Sequence, residues 1–341
     1  MALLEVNDLK TSFRTEDGVV GAVDGVSFSI EKGQTLGIVG ESGSGKSVTC
    51  LTIMGLNAKR NTISSGEALW KGDNNLLTMK PKALREIRGN EISMIFQDPM
   101  TSLNPVHTIG RQLEEAILLH RDVTKKVARA RSLELLKAVG IPRAEQRIDD
   151  YPHQFSGGMR QRVMIAMALI NDPDLLIADE PTTALDVTTQ AQILMLMKRL
   201  QDDFGSAIIM ITHDLGVVAE IADDVVVMYA ANVVEQAEVH DLFNHPQHPY
   251  TWGLMGSLPR LEADVERLTQ IPGQPPSLLR PPSGCRFHPR CPYVMEVCKT
   301  TFPTLEPARD DPDHLQRCWL DQETKDREAA KLLAATMAGA G

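Results

Sequence analysis

The sequence predicts an α/β fold with a mainly parallel sheet, a helical insertion and a small irregular extension. Short apolar runs bounded by Asp, Gly and Pro recur along the chain, as expected for strands buried on both faces of a sheet. These runs are Thr35–Val39, Ile92–Phe96, Leu175–Ala178, Ala207–Ile211 and Val225–Met228. Helical stretches separate them, which is typical of a parallel sheet whose strands alternate with helices.

The remaining ordered stretches are shorter or more polar. Residues 3–10 and 26–30 predict short strands, with a turn near Asp17-Gly18, and residues 47–55 predict a helix. Residues 108–140 are rich in Leu, Ala, Arg and Glu at helical spacing, which predicts the helical insertion.

The character of the chain changes after residue 236. Residues 245–284 contain many prolines, which argues against long regular elements there. The last stretch, 321–341, is polar and then Ala-rich, and it fits a helix and a loose tail equally well.

Composition excludes several classes of protein. Hydrophobic residues make up 43 % of the 341 residues and charged residues 23 %, which is ordinary globular composition. A net charge of −10 argues against binding to nucleic acid or to anionic lipid, and an aromatic content of 4 % argues against a stacking platform for single strands. No apolar run approaches the ~18 residues that span a bilayer, and the N-terminus lacks the pattern of a secretory signal. We therefore expect a cytosolic protein whose membrane association comes through partners.

A Gly-rich loop follows the strand at Thr35–Val39. Gly40-Glu-Ser-Gly-Ser-Gly45-Lys46-Ser47 matches the pattern G-x-x-x-x-G-K-[ST] completely, with a strand before it and a helix after it. Glycines let the backbone N–H groups point at phosphate oxygens, and the helix adds its positive end. Lys46 can reach the β- and γ-phosphates and Ser47 can bind Mg²⁺. The loop predicts a nucleoside triphosphate site without separating ATPase, kinase and GTPase.

The strand Leu175–Ala178 ends in two carboxylates, Asp179 and Glu180. Asp179 is predicted to hold Mg²⁺, directly or through water, and Glu180 to orient and polarise the attacking water.

One motif before this strand resembles a known family. Phe155-Ser156-Gly157-Gly158-Met159 is similar to the signature motif of ABC-type ATPases, usually written LSGGQ, with Phe for the first Leu and Met for the last Gln. The resemblance implies a P-loop NTPase core of the ABC type with an antiparallel β subdomain, a helical subdomain and a Cys/Pro-rich C-terminal extension. It also implies that this signature closes over ATP held by the P-loop of a second subunit.

Other family motifs follow in the expected order. Gln97 resembles the Q-loop glutamine, Ala184-Leu185-Asp186 the D-loop, and His213 the switch histidine near the γ-phosphate. Phe13 is a candidate for stacking on adenine, with a role in the core as the alternative.

Three further segments resemble the ATPases of oligopeptide/dipeptide importers. They are Asp98-Pro-Met-Thr-Ser-Leu-Asn-Pro105, His248-Pro-Tyr-Thr251 and Ile271-Pro-Gly-Gln-Pro-Pro276. One departure is Tyr229-Ala-Ala231-Asn232, where the family often has Tyr-Ala-Gly followed by Arg or Gln, so the turn geometry there is in question.

The resemblance implies a machine with several subunits. Its partners are a second, different ATPase subunit, two permeases and an extracytoplasmic solute-binding protein, with this chain peripheral on the cytoplasmic face of the membrane. The alternatives are the same machine with another cargo (a nickel chelate, a glutathione-like peptide or an oligosaccharide) and a non-transport relative acting on DNA or ribosomes. The acidic balance, the single cassette and the lack of sustained heptads argue against the last.

Four of the five cysteines cluster near the C-terminus, at Cys285, Cys291, Cys298 and Cys318. In a reducing compartment such a cluster favours metal over disulfides. The gaps exceed those of most paired zinc ligands and suit a [4Fe–4S] cluster, which the resemblance also implies. Zinc and no metal remain alternatives. Cys50 is predicted to be a small core residue.

These motifs predict the domains and the site. The predicted domains are an ATP-binding core (1–97 and 165–236), a helical signature subdomain (98–164), a C-terminal regulatory and metal-binding extension (237–320) and a tail (321–341). Glu180, His213 and Gln97 are the predicted catalytic residues. The predicted ATP and Mg²⁺ ligands are Phe13, Gly40, Glu41, Ser42, Gly43, Ser44, Gly45, Lys46, Ser47, Gln97 and Asp179, with Ser156, Gly157, Gly158, Met159 and Asp186 acting across the subunit interface.

Overall fold

A computed structural model describes residues 2–97, 102–183, 185–257, 271–309 and 311–337. The strands are β1 (Leu4–Thr15), β2 (Gly18–Ile30), β3 (Thr35–Val39), β4 (Thr62–Trp70), β5 (Asn74–Asn75), β6 (Ile92–Ile95), β7 (Leu175–Asp179), β8 (Ala207–Thr212), β9 (Asp224–Tyr229), β10 (Asn232–Glu238), β11 (Glu306–Ala308) and β12 (Asp311–Gln316). The α-helices are Lys46–Ile53, Pro81–Ile87, Ile109–Leu118, Lys125–Ala138, Ala144–Arg147, Gly157–Leu169, Val187–Phe204, Leu215–Ile221, Val239–Asn244, Pro249–Gly256, Glu296–Thr300 and Gln322–Met337, and Pro152–Gln154 forms a 3₁₀ turn.

The chain divides into two compact units, of which the first comprises residues 1–30, 36–77 and 212–341. Its antiparallel sheet has the strand order β2-β1-β4-β5. In its other strands, β3 pairs in parallel with β9, and β10 pairs antiparallel with both β9 and β12. Strand β11 pairs antiparallel with β12, so the C-terminal extension adds two strands to this unit.

The second unit comprises residues 31–35 and 78–211. Strands β6, β7 and β8 form parallel neighbours in that order, and β7 is buried along its whole length. Burial on both faces explains why these strands are continuous apolar runs. Helices Ile109–Leu118 and Lys125–Ala138 lie in the stretch predicted as the helical insertion, and helices Ala144–Arg147 and Gly157–Leu169 follow it.

Several predicted elements differ in extent. The strands predicted at 3–10 and 26–30 belong to one long hairpin that turns at Asp17-Gly18. The hairpin is half-exposed and contains many polar residues, so the apolar pattern in the sequence covers only part of each strand. The stretch 108–140 is two helices, because Thr124 accepts a hydrogen bond from Val127 N–H and starts a second one.

The Pro-rich region and the tail are also more regular than composition suggested. Helix Pro249–Gly256 begins within the Pro-rich region, with His248 as its N-cap and Pro249 in the first turn, where proline is favoured. Of the two alternatives for the tail, residues Gln322–Met337 form a helix.

Candidate nucleotide-binding site

The Gly-rich loop connects β3 to helix Lys46–Ile53 in the first unit. Gly40 has φ +151°, and a Cβ there would lie 2.1 Å from the carbonyl oxygen of Met228. Gly45 has φ +105°, and a Cβ there would lie 2.3 Å from the carbonyl oxygen of Ala22. Both positions therefore require glycine for the conformation and for the space.

The polar groups of this loop turn inward. Lys46 is only 5 % exposed, and its ammonium donates to the carbonyl oxygens of Gly40 at 2.6 Å and Glu41 at 3.0 Å. The hydroxyl of Ser44 is buried and has no hydrogen-bond partner among the described residues. A buried hydroxyl without a partner is costly unless a ligand completes it, which fits a phosphate cradle. Ser42 and Gly43 lie exposed at the loop tip, and Ser47 is half-buried on the helix.

The two carboxylates at the end of β7 occupy different environments in the second unit. Asp179 is 5 % exposed, and Glu180 follows it with φ +47°, a left-handed conformation that is rare for this residue type. The Glu180 Oε2 atom accepts hydrogen bonds from Gln97 Nε2 at 2.9 Å and from Thr183 Oγ1 at 2.8 Å. The predicted catalytic glutamate and Q-loop glutamine are thus direct partners.

The signature motif forms the start of a helix. The Ser156 side chain accepts from the N–H of Met159 at 3.3 Å and caps helix Gly157–Leu169. Ser156 and Gly157 are exposed, while Phe155 is buried, so the departure at the first signature position fills the core. Gly158 lies close to Thr189, since a Cβ there would be 3.0 Å from its Cγ2 atom.

The D-loop aspartate also starts a helix. Asp186 accepts from the N–H of Thr189 at 2.9 Å and from its hydroxyl at 2.7 Å, and these bonds lower the pKa of the Asp186 carboxyl. Ala184 and the segment 98–101 of the predicted importer motif lie outside the described residues.

The other two predicted site residues lie in the first unit. His213 is exposed directly after β8. Phe13 is half-buried in β1, opposite Val20 and Thr62 of the neighbouring strands.

The four clustered cysteines are free thiols in the first unit. Burial raises the pKa of Cys285, that of Cys291 to about 12 and that of Cys318 to about 11. Within the described part of the chain, no group of three or more His, Cys, Asp or Glu side chains is arranged to hold a metal ion. This finding does not support the prediction of a [4Fe–4S] cluster, or of zinc, at Cys285, Cys291, Cys298 and Cys318. Zinc needs all its sulfurs within about 2.3 Å of one point.

Sequence reasoning missed several residues that contact predicted site residues, Thr183 and Tyr250 among them. Thr183 binds Glu180, and no pattern in the sequence marks it. Tyr250 accepts a hydrogen bond from the N–H of Glu41 at 2.8 Å. Tyr250 lies in His248-Pro-Tyr-Thr251, a segment that resembles the importer ATPases but whose residues had no predicted role. That resemblance was the signal that could have marked Tyr250 as a functional residue.

Among the described residues, none of the helices has both the length and the apolar character needed to cross a bilayer.

The fold, the phosphate cradle and the helix-capping Ser-Gly-Gly motif together define a class, the ABC-type ATPase.

Comparisons with known proteins agree with this class. A family model described as ABC transporter matches residues 23–183, and one described as the C-terminal region of oligopeptide/dipeptide transporters matches residues 234–298. The ATP-binding cassette MJ0796, solved as a post-hydrolysis dimer bound to ADP and phosphate, superposes with a TM-score of 0.62 at 27 % identity, covering 69 % of this chain and 98 % of that one. The predicted fold class is confirmed.

Two relatives cover nearly the whole chain. The dipeptide transport ATP-binding protein DppD of Lactococcus lactis is 54 % identical over 93 % of this chain and 90 % of its own. The oligopeptide transport ATP-binding protein OppD of Salmonella typhimurium is 53 % identical over 93 % of each chain. The chain belongs to the ATP-binding proteins of the oligopeptide/dipeptide ABC transporter family.

Proposed function

We propose that this protein is the ATP-hydrolysing motor subunit of a membrane importer for di- or oligopeptides. The observation that carries the proposal is an intact P-loop and an intact Ser-Gly-Gly core of the signature in a chain 54 % identical to a dipeptide transport ATP-binding protein. The match of residues 234–298 to the C-terminal region of oligopeptide/dipeptide transporters supports the same cargo class.

The described contacts suggest a role for each site residue. Backbone N–H groups of the P-loop and the Lys46 ammonium would bind the phosphates, with Ser47 and Asp179 holding Mg²⁺. Glu180 would accept a proton from the attacking water, and its bonds to Gln97 and Thr183 would hold the carboxylate in one orientation. His213 would stabilise charge on the γ-phosphate as it leaves.

A second subunit would complete the site. Ser156, Gly157, Gly158 and Met159 present a capped helix N-terminus whose exposed backbone suits a phosphate on a partner's nucleotide. Asp186 would lie at that interface. In this proposal the helical subdomain (98–164) contacts the permeases at the cytoplasmic face of the membrane, and nucleotide-driven closure moves them.

The test measures ATP binding and hydrolysis in the assembled complex with permeases and partner ATPase. Lys46→Ala is expected to lose nucleotide binding. Glu180→Gln is expected to bind ATP normally and to turn over ~10²- to 10⁴-fold more slowly, because the general base is removed. Glu220→Gln, an exposed glutamate on helix Leu215–Ile221, is the matched control and is expected to keep wild-type turnover. Near-normal hydrolysis by Glu180→Gln would overturn the catalytic assignment.

The cargo needs its own measurement. Reconstituted with its solute-binding protein, the complex is expected to import a labelled dipeptide in an ATP-dependent way. Import of a nickel chelate or an oligosaccharide without dipeptide import would contradict the peptide cargo and indicate the same type of importer with another cargo.

We also propose that the four clustered thiols hold a [4Fe–4S] cluster. Every pair among Cys285, Cys291, Cys298 and Cys318 is close enough for electrostatic interaction between the thiolates. Backbone N–H groups of Phe287, His288, Tyr293 and Leu320 point at three of the sulfurs, as donors do around cluster thiolates. A cluster accepts sulfurs spaced more widely than one ion does, and binding it would stabilise the fold of the extension.

Iron and acid-labile sulfide in anaerobically purified protein test this proposal. We expect both in the wild type and in Cys50→Ala, and loss of both in Cys291→Ser. A colourless wild-type protein containing zinc and no iron would contradict the cluster.

A further inference from the structure

The second residue of the P-loop, Glu41, is held from three directions. Its carboxylate binds Arg290, its N–H donates to Tyr250 Oη, and its carbonyl oxygen accepts from Lys46. The P-loop pattern itself leaves the side chain at this position unspecified. All of these groups belong to the first unit.

The pair between Arg290 and Glu41 has the geometry of a strong interaction. The two guanidinium nitrogens reach the two carboxylate oxygens at 2.6 Å and 3.0 Å, which is a bidentate arrangement. The Arg290 side chain is only 4 % exposed and that of Glu41 is 29 % exposed, so water screens the pair little.

Arg290 is itself fixed on its other sides. Its Nε donates to the carbonyl oxygen of Pro272 at 2.9 Å, and Nη2 donates to that of Ile271 at 3.3 Å. Its guanidinium also lies 5.8 Å from the ring centre of Tyr229. An arginine held this firmly can impose a position on the carboxylate that it binds.

The position of Arg290 in the chain gives this contact a meaning. It directly precedes Cys291, so this ion pair joins the cysteine-rich extension to the phosphate-binding loop, beside the hydrogen bond from Glu41 to Tyr250. The pair also neutralises a carboxylate located within the loop that receives the triphosphate. Without Arg290, the charge of Glu41 would repel the phosphates and the loop would lose one of its three restraints.

We propose that Arg290 is a positioning residue for ATP, acting through Glu41 to hold the P-loop ready for phosphate. The C-terminal extension is then part of the nucleotide site rather than an appendage. The inference rests on the proposed binding of ATP at the P-loop, and it assigns no chemical step to the extension.

The test is a double-mutant cycle on ATP affinity, measured by calorimetry on the purified full-length protein. Arg290→Gln is expected to weaken ATP binding about tenfold, because it leaves the Glu41 carboxylate unpaired near the triphosphate. In a Glu41→Gln background the same change is expected to alter the Kd less than twofold. Arg290→Lys, which keeps the charge but not the bidentate fork, is expected to fall between these results.

Arg317→Gln is the matched control. Arg317 directly precedes Cys318 as Arg290 precedes Cys291, and it donates to the carbonyl oxygens of Val233 and Pro303 without reaching the P-loop. It should leave the Kd within twofold of wild type even if it loosens the extension. An equal loss of affinity in Arg317→Gln, an unchanged Kd in Arg290→Gln, or additive effects in the cycle would each overturn the inference. If Lys46→Ala binds ATP as tightly as wild type, the proposed nucleotide site fails instead.

Discussion

His248 is an imidazole without access to water, at 1 % exposure. Its Nδ1 atom accepts the N–H of Tyr250 at 3.0 Å, which caps helix Pro249–Gly256 with the neutral ring. Burial, aided by the positive charges of Lys325 and Arg317, lowers the pKa of His248 to about 3. The folded protein therefore resists protonation of a side chain that the unfolded chain protonates readily.

This difference predicts a loss of stability in mild acid. The unfolded-state pKa is about 6.5, so between pH 6.5 and pH 3 the unfolded chain binds one more proton at this residue. The free energy of unfolding is then expected to fall by about 2 kcal/mol between pH 7 and pH 5 through His248 alone. His248→Asn keeps an acceptor for the helix cap and removes the titration. Urea unfolding at pH 7 and pH 5 measures the free energy of unfolding of both proteins. If it falls equally in the variant and in the wild type, His248 is not the cause of the loss.

Glu180 shows a second constraint at the residue scale. Its backbone is left-handed, at φ +47°. The Glu180 N–H donates a hydrogen bond to the carbonyl oxygen of Ile211 in the neighbouring strand, at 2.9 Å, and this bond helps to hold that conformation. Sequence reasoning placed Glu180 correctly at a strand end, but the backbone conformation depends on contacts from elsewhere in the chain.

At the scale of the elements, the hairpin that joins β9 to β10 contains Tyr229-Ala-Ala231-Asn232, the segment that departs from the family pattern. Its two turn residues, Ala230 and Ala231, have φ values of +45° and +71°. Both are left-handed, as a two-residue hairpin turn requires, and glycine is favoured there. The turn therefore keeps the expected geometry at a conformational cost. It also contacts the P-loop, since Ala231 N–H donates to the Ser44 carbonyl at 2.9 Å.

Replacing one turn residue tests that cost. Ala231→Gly relieves roughly 1–2 kcal/mol of left-handed strain and loses roughly 0.8 kcal/mol of buried methyl, so it is expected to stabilise by up to about 1 kcal/mol. Ala237→Gly, an equally buried change inside β10, loses its methyl without relief and is expected to destabilise by about 1–2 kcal/mol. Thermal unfolding measures both, and equal shifts in the two variants would refute the strain.

At the scale of the whole molecule, Glu235 connects segments that are far apart in the chain. Its fully buried carboxylate accepts hydrogen bonds from the N–H groups of Gln247 at 2.6 Å and His248 at 2.9 Å, and from the Thr251 hydroxyl at 2.5 Å. A fourth bond comes from His314 Nε2 at 2.9 Å, in β12. One side chain thus joins β10, the start of a helix and the C-terminal strand.

Removing this carboxylate is expected to be costly. Glu235→Ala would strand four donors in the interior, and we expect it to lower the free energy of unfolding by about 3 kcal/mol or more. Glu238→Ala, exposed at the end of the same strand, is the control and is expected to stay within about 0.5 kcal/mol of wild type. Denaturant titration measures the free energy of unfolding of both variants. A loss below about 1 kcal/mol for Glu235→Ala would show that the four hydrogen bonds of Glu235 do not stabilise the fold.

The sequence by itself determined the features that depend on neighbouring residues. The P-loop, the strand end at Asp179-Glu180 and the helix start at Ser156 are local, because their glycines, apolar runs and caps act within a few residues. The order in which these motifs occur indicates the class of ATPase, and the separate segments at 98–105, 248–251 and 271–276 indicate the importer family.

Tertiary structure alone decided which distant residues meet these motifs. Tyr250 and Arg290 contact Glu41 across separations of 209 and 249 residues, and His314 meets Glu235 across 79. Such pairs form when packing brings distant segments together and leaves a charged or polar group away from water without a partner. No local pattern encodes that need. The P-loop could therefore be read from its own residues, whereas its attachment to the cysteine-rich extension could be seen only in the folded chain.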